Sequence, residues 1–112
     1  VILTVIESPY AATETTTAEE HAAYLRRCLA DSLARGEAPY ASHGLYTQTG
    51  VLDDTNPKER EQGITVGFHW GNKAAQVAVY TDYGISEGMK QGIQRAKTAK
   101  QPVVYRQIGK NK

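Results

Sequence analysis

Cysteine is nearly absent. Cys28 stands alone among 112 residues, so no disulfide forms within the chain, and a reducing, cytoplasmic setting is expected. An excess of one charge is missing too: 13 Lys and Arg face 12 Asp and Glu, for a net charge of +1, with no long basic run. Attraction to a phosphate backbone is therefore weak, which argues against a duplex-binding module and leaves small nucleotides as possible partners. No apolar stretch reaches the roughly 18 residues that a membrane span needs. The opening run Val1-Ile2-Leu3-Thr4-Val5-Ile6 lacks the basic leader and cleavage site of a signal peptide, and is read as a buried strand. His21, His43, His69 and Cys28 share no metal-ligand spacing, so neither zinc nor another cofactor is expected. A chain of this length suits a single domain over residues 1–112, burying roughly two-thirds of its unfolded surface without metal or disulfide staples.

What is present alternates between strand and helix. Val1–Ile6 is β-branched and nearly all apolar, the pattern of a strand covered on both faces. Thr17-Ala18-Glu19-Glu20 has capping-box spacing, and Tyr24, Leu25, Cys28, Leu29, Ser32 and Leu33 then form one helical face that ends at Gly36. Ala38–Ser42 is a weaker strand, which Pro39 assigns to an edge. After a long connection from His43 to Asn56, Pro57 opens a second helix capped by Asn56 or Thr55, carrying Ile64, Phe68 and Trp70 inward until Gly71-Asn72. Ala75–Tyr80 reads as a third strand. Ile85, Met89, Gly92, Ile93 and Ala96 then make one helical stripe. Pro102–Ile108 supplies the last strand, and Gly109–Lys112 a frayed tail. The expected fold is α/β: a three-layer α/β/α, Rossmann or flavodoxin-like domain with four parallel strands in the order 2-1-3-4.

In such sheets ligands bind beyond the carboxyl ends of the strands, where strand order reverses. That rule selects Glu7–Tyr10, Ser42–Thr47, Asp82–Ser86 and Arg106. Gly84-Ile85-Ser86-Glu87-Gly88 is a literal G-x-S-x-G, yet a serine-hydrolase elbow needs its His downstream, and all three histidines precede Ser86. The same segment suits a phosphate or ribose hydroxyl, through Gly84, Ser86 and a helix N-terminus, or Ser86 simply caps its helix. Glu7 and Asp82 offer two carboxylates for acid/base or nucleophilic work on a glycosidic bond, with Tyr10 beside them. Ser8, Pro9, Ile85, His43 and Tyr46 are further candidates for ligand contact; His43 is either a proton carrier or a structural hydrogen-bonder.

Glu7-Ser8-Pro9-Tyr10 after the opening strand resembles the strand-end loop of the nucleoside 2-deoxyribosyltransferase superfamily, which includes nucleoside and nucleotide N-glycosidases. Asp82-Tyr83-Gly84-Ile85-Ser86-Glu87-Gly88-Met89, with Gly92, Ala96 and Pro102-Val103, is similar to that superfamily's second signature. Arg35–Pro39, Ala41-Ser42-His43, Leu45–Gln48 and Gly50–Asp54 add a likeness, spanning nearly the whole chain, to small proteins common in phage and bacterial genomes. For a phage protein the setting would be the host cytoplasm. The resemblance implies a sugar and phosphate pocket formed by Ser8, Tyr10, Asp82, Gly84, Ser86 and Gly88, and a homo-oligomer. It also implies a nucleophilic Glu in the last helix, where this sequence has Gly92. The expected function is accordingly binding of a nucleoside or nucleotide. The alternatives are an active N-glycosidase or deoxyribosyltransferase using Glu7 or Asp82, and a protein–protein module that leaves the crevice unused.

Overall fold

A computed structural model describes residues 1–110; the last two residues of the expected tail, Asn111 and Lys112, lie outside it. The elements run β1 (Ile2–Glu7), α1 (Ala18–Ala34), β2 (Glu37–Tyr40), α2 (Ser42–Leu45), α3 (Pro57–Gly71), β3 (Gln76–Tyr80), α4 (Glu87–Thr98) and β4 (Val103–Arg106). All strands are parallel and lie in the order β2-β1-β3-β4, as expected. One sheet face packs Ile6, Ala78 and Tyr80 against Tyr24, Leu25 and Cys28 of α1. The other packs Val5, Val77 and Val79 against Met89, Ile93 and Ala96 of α4. Cys28 is fully buried, and burial pushes its thiol up to about 12, so it is an inert core residue. No helix among the described residues is long and apolar enough to cross a membrane.

The helix starts follow from local chemistry. Thr17 and Glu20 close the capping box through both reciprocal bonds. Asn56, not Thr55, caps α3, accepting from the amides of Lys58 and Glu59, and Pro57 needs no donor there. Gly36, with φ of +82°, turns the chain out of α1 into β2.

Several expectations are corrected. The opening strand is buried only from Thr4 to Ile6; Ile2 and Leu3 are half exposed because β3 joins β1 only from Thr4 onward. Leu33 of α1 is 61% exposed, while Ser32 of the same expected face is buried and donates to Glu37 at 2.7 Å. The connection after β2 contains the short helix α2. Trp70 is 60% exposed, not inward, because α3 packs on its glycines. A Cβ at Gly67 would lie 2.6 Å from Ser42 Oγ, and one at Gly71 3.0 Å from Arg95 Cζ, so the missing side chains set the helix approach. Ile85 precedes α4 and does not join its buried stripe. The C-terminal segment is not frayed through Lys110: Arg27 donates to the carbonyls of Gly109 and Lys110 at 2.8 and 2.6 Å.

Arg106 is also reassigned. It reaches across the α1 face to Glu37, joining the two edge strands through a paired contact at 2.6 and 2.9 Å. Arg106 above all, with help from Ser32 and Gln76, overrides burial and holds the Glu37 carboxyl at about 2. The side chain that topology marked for ligand contact is thus structural.

Two outcomes follow for stability. Gly67→Ala is expected to cost about 1–3 kcal/mol by over-packing, most of it returned by the added change Ser42→Gly, as read from urea denaturation. Because the Glu37 carboxyl titrates at about 2 when folded and at 4.5 ordinarily, its contribution is complete above pH 4.5 and disappears as pH falls toward 2. Glu37→Gln should lower stability near neutrality by about 3–5 kcal/mol, by leaving Arg106 unpaired, and should flatten this acid dependence in melting curves.

Candidate functional site

The order β2-β1-β3-β4 reverses between β1 and β3, and there the chains leaving the two strands separate. Between them opens a cavity of about 790 Å³. Its rim includes Glu7, Ser8, Pro9 and Tyr10 after β1, His43 of α2, and Asp82, Gly84, Ile85, Ser86 and Gly88 around the start of α4. Of the residues read from the sequence, Arg106 and Gly44–Thr47 do not line it; Tyr46 sits in a smaller groove between α2 and α3 with Leu52 and Gly63.

Glu7 forms the floor. As the last residue of β1, it pairs with Val79 while its side chain turns toward α4. A Cβ at Gly92 would lie 2.5 Å from Glu7 Cδ and 2.8 Å from Oε1. The carboxyl therefore fills the space that any side chain at residue 92 would need. Burial pushes its pKa up to about 8, against the pull of the nearby Arg95 guanidinium, and it is a neutral acid at pH 7. Arg95 itself is tied to Asn72 and Gln101, both at 2.8 Å, and its Nη2 is buried with no partner among the described residues.

Beside Glu7, Ser8 Oγ lies 2.8 Å from His43 Nε2. Burial lowers His43 to about 4, so the ring is neutral near pH 7, and the edge of one ring meets Tyr10, centroids 6.4 Å apart. The opposite rim is more firmly built. Asp82 accepts from Tyr24 Oη at 2.6 Å and from the amides of Ile108 and Gly109 at 2.9 and 2.8 Å. Burial raises its pKa, but these bonds prevail and hold it below the usual carboxylate range. Gly84 adopts φ of +83° in the turn, the left-handed region that favours glycine. Ser86 caps α4, its hydroxyl accepting from Met89 N at 3.3 Å. Gly88 has nothing within 4 Å of where a Cβ would stand, so its face is open to the cavity.

Other wall residues escaped the sequence reading. His21, bonded to Thr16 Oγ1 at 2.8 Å, stacks edge-on against Tyr83, which Lys110 covers at 5.3 Å. Phe68 and the Arg60–Asp54 ion pair come from the region of α3. His21 follows the capping box directly, which predicts its place at a helix start but not that this start borders the cavity. Among the described residues no three His, Cys, Asp or Glu side chains gather to hold a metal.

Residues 2–106 match a family described as Domain of unknown function (DUF7768). Among solved structures, a 2-deoxyribosyltransferase from the psychrotolerant bacterium Bacillus psychrosaccharolyticus is similar in fold, with a TM-score of 0.64 and 12% identity. That likeness covers 98% of this chain and 75% of the other. No curated protein matches.

The Glu7 environment has a measurable signature. Between pH 4.5 and about 8 the folded chain holds a proton on Glu7 that the unfolded chain has released, so stability declines as pH rises through that window. Glu7→Gln is expected to remove the decline: its melting temperature should gain on the wild type across the window and level off above it. A carboxyl NMR titration placing Glu7 near its ordinary value would contradict this.

Proposed function

The chain belongs to the DUF7768 family, and we propose that it binds a nucleoside or nucleotide in the cavity between the ends of β1 and β3. One observation carries the reading: the Glu7–Tyr10 and Asp82–Gly88 segments, 75 residues apart in sequence by the difference between Glu7 and Asp82, share one cavity. At about 790 Å³ it is within the range of small-molecule sites, and it mixes aromatic surface with a few polar groups. Tyr10, Tyr83 and Phe68 supply faces and edges for a base. Ser8 and His43 offer hydrogen bonds for a sugar, and the open backbone at Gly88 lets a polar ligand approach the start of α4 closely. The fold likeness to a 2-deoxyribosyltransferase supports the same ligand class.

The cavity rather than the surface should respond to ligand. Deoxynucleosides and their monophosphates are expected to raise the melting temperature; a ligand at 100 times its Kd adds about 2.7 kcal/mol of apparent stability. Gly88→Leu should abolish the shift while leaving the ligand-free melting temperature equal or higher, since the new side chain enters open space. Absence of any shift with either ligand class, by calorimetry as well as melting, would refute the proposal.

A further inference from the structure

A binding role alone leaves Glu7 without explanation. Its carboxyl costs stability above pH 4.5, accepts no hydrogen bond from a described residue, and faces a cavity. As placed, it also occupies the position of a Cβ at residue 92, in the middle of α4, where the chain has glycine. Glycine there weakens a helix by roughly 0.5–1 kcal/mol relative to Ala. The pairing of an unbonded acid with a helix position emptied to admit it marks a group placed for contact with something the cavity holds.

We propose that Glu7 is the reacting acid of this cavity, donating its proton to the leaving base of a bound nucleoside, so that the protein hydrolyses N-glycosidic bonds without a carboxylate at residue 92 of α4. The inference rests on the nucleoside reading. In the step, the C1′–N bond breaks and its electron pair goes to the base, which takes the Glu7 proton. A water oxygen bonds to C1′, and the water proton returns to the Glu7 carboxylate, which restores the acid. Base and free sugar are the products, and water is the only co-reactant.

The other groups around the cavity leave this role to Glu7. Asp82 has its oxygens engaged by Tyr24, Ile108 and Gly109. His43, from α2, is neutral and bonded to Ser8. Arg60 is paired with Asp54 beside α3. Glu87 and Lys110 sit at the outer rim, where Glu87 pairs with Lys90. Arg95, facing Glu7 from α4, lowers its pKa but not enough to ionise it near neutrality. Tyr10, Tyr83 and His21 complete the ionisable wall.

The test follows free base by chromatography and binding by thermal shift on the same samples of deoxynucleosides and their monophosphates. Wild type should release base, with a rate that falls as pH rises through about 8. Glu7→Gln should retain the ligand-induced shift and lose release by about 10²-fold or more, the scale of general acid catalysis. The double variant Glu7→Ala with Gly92→Glu, which returns a carboxyl to the same space from the helix, should release base faster than Glu7→Ala alone. Binding without release in wild type, or release unchanged in Glu7→Gln, overturns the acid role and leaves the binding reading standing. Neither shift nor release overturns both.

Discussion

One volume at the bottom of the cavity can hold a Glu7 carboxyl or a residue-92 side chain, but not both. The surrounding arrangement depends on this exclusion. Parallel pairing with Val79 brings Glu7 to the end of β1, and the packing of Met89, Ile93 and Ala96 on Val5, Val77 and Val79 brings α4 down onto the same face. With those two elements fixed, a Cβ at residue 92 would overlap the carboxyl. Glycine lets the sheet and helix keep their packing distance while a polar group is enclosed between them. The enclosure then sets the acid's protonation: burial disfavours a charge there, and this outweighs the pull of the nearby Arg95 guanidinium, whose Nη1 is bonded to Asn72 and Gln101.

Two polar networks keep the cavity's borders in place. Glu37 and Arg106 tie one edge strand to the other across the α1 face, with Ser32, Gln76 and Tyr80 filling their remaining hydrogen bonds. A buried ion pair satisfied this fully specifies which strands sit where, since removing either partner strands a charge. Asp82 does the same for the rim, gathering Tyr24 of α1 and the amides after β4 around one carboxylate. Both networks commit their charges to structure.

Much of this was legible in the chain itself. Strand and helix alternation, with Pro39 at an edge, was enough for the β2-β1-β3-β4 sheet, and the topological rule selected the Glu7–Tyr10 and Asp82–Ser86 segments, which border one cavity. Caps were readable because Thr17 with Glu20, and Asn56 before Pro57, act within a few residues of themselves. What failed depends on partners far away in sequence. Trp70, expected inward with Ile64 and Phe68, is exposed, whereas Gly63, Gly67 and Gly71 are where α3 meets its neighbours. The resemblance implied a helix carboxylate at the place of Gly92. That Glu7 fills it is a contact between β1 and α4 that no local pattern records.

The origin of the acid has a mechanical consequence. A carboxyl carried by a helix moves whenever that helix slides or tilts, and shear of packed helices is a common way for proteins to adjust around small molecules. Here the group is anchored to a strand hydrogen-bonded on both sides, while the wall across from it is backbone at Gly88 and Gly92. A shift of α4 would widen or narrow the opening without carrying the proton along, so accommodation of different occupants and aim of the acid are governed by separate parts of the fold.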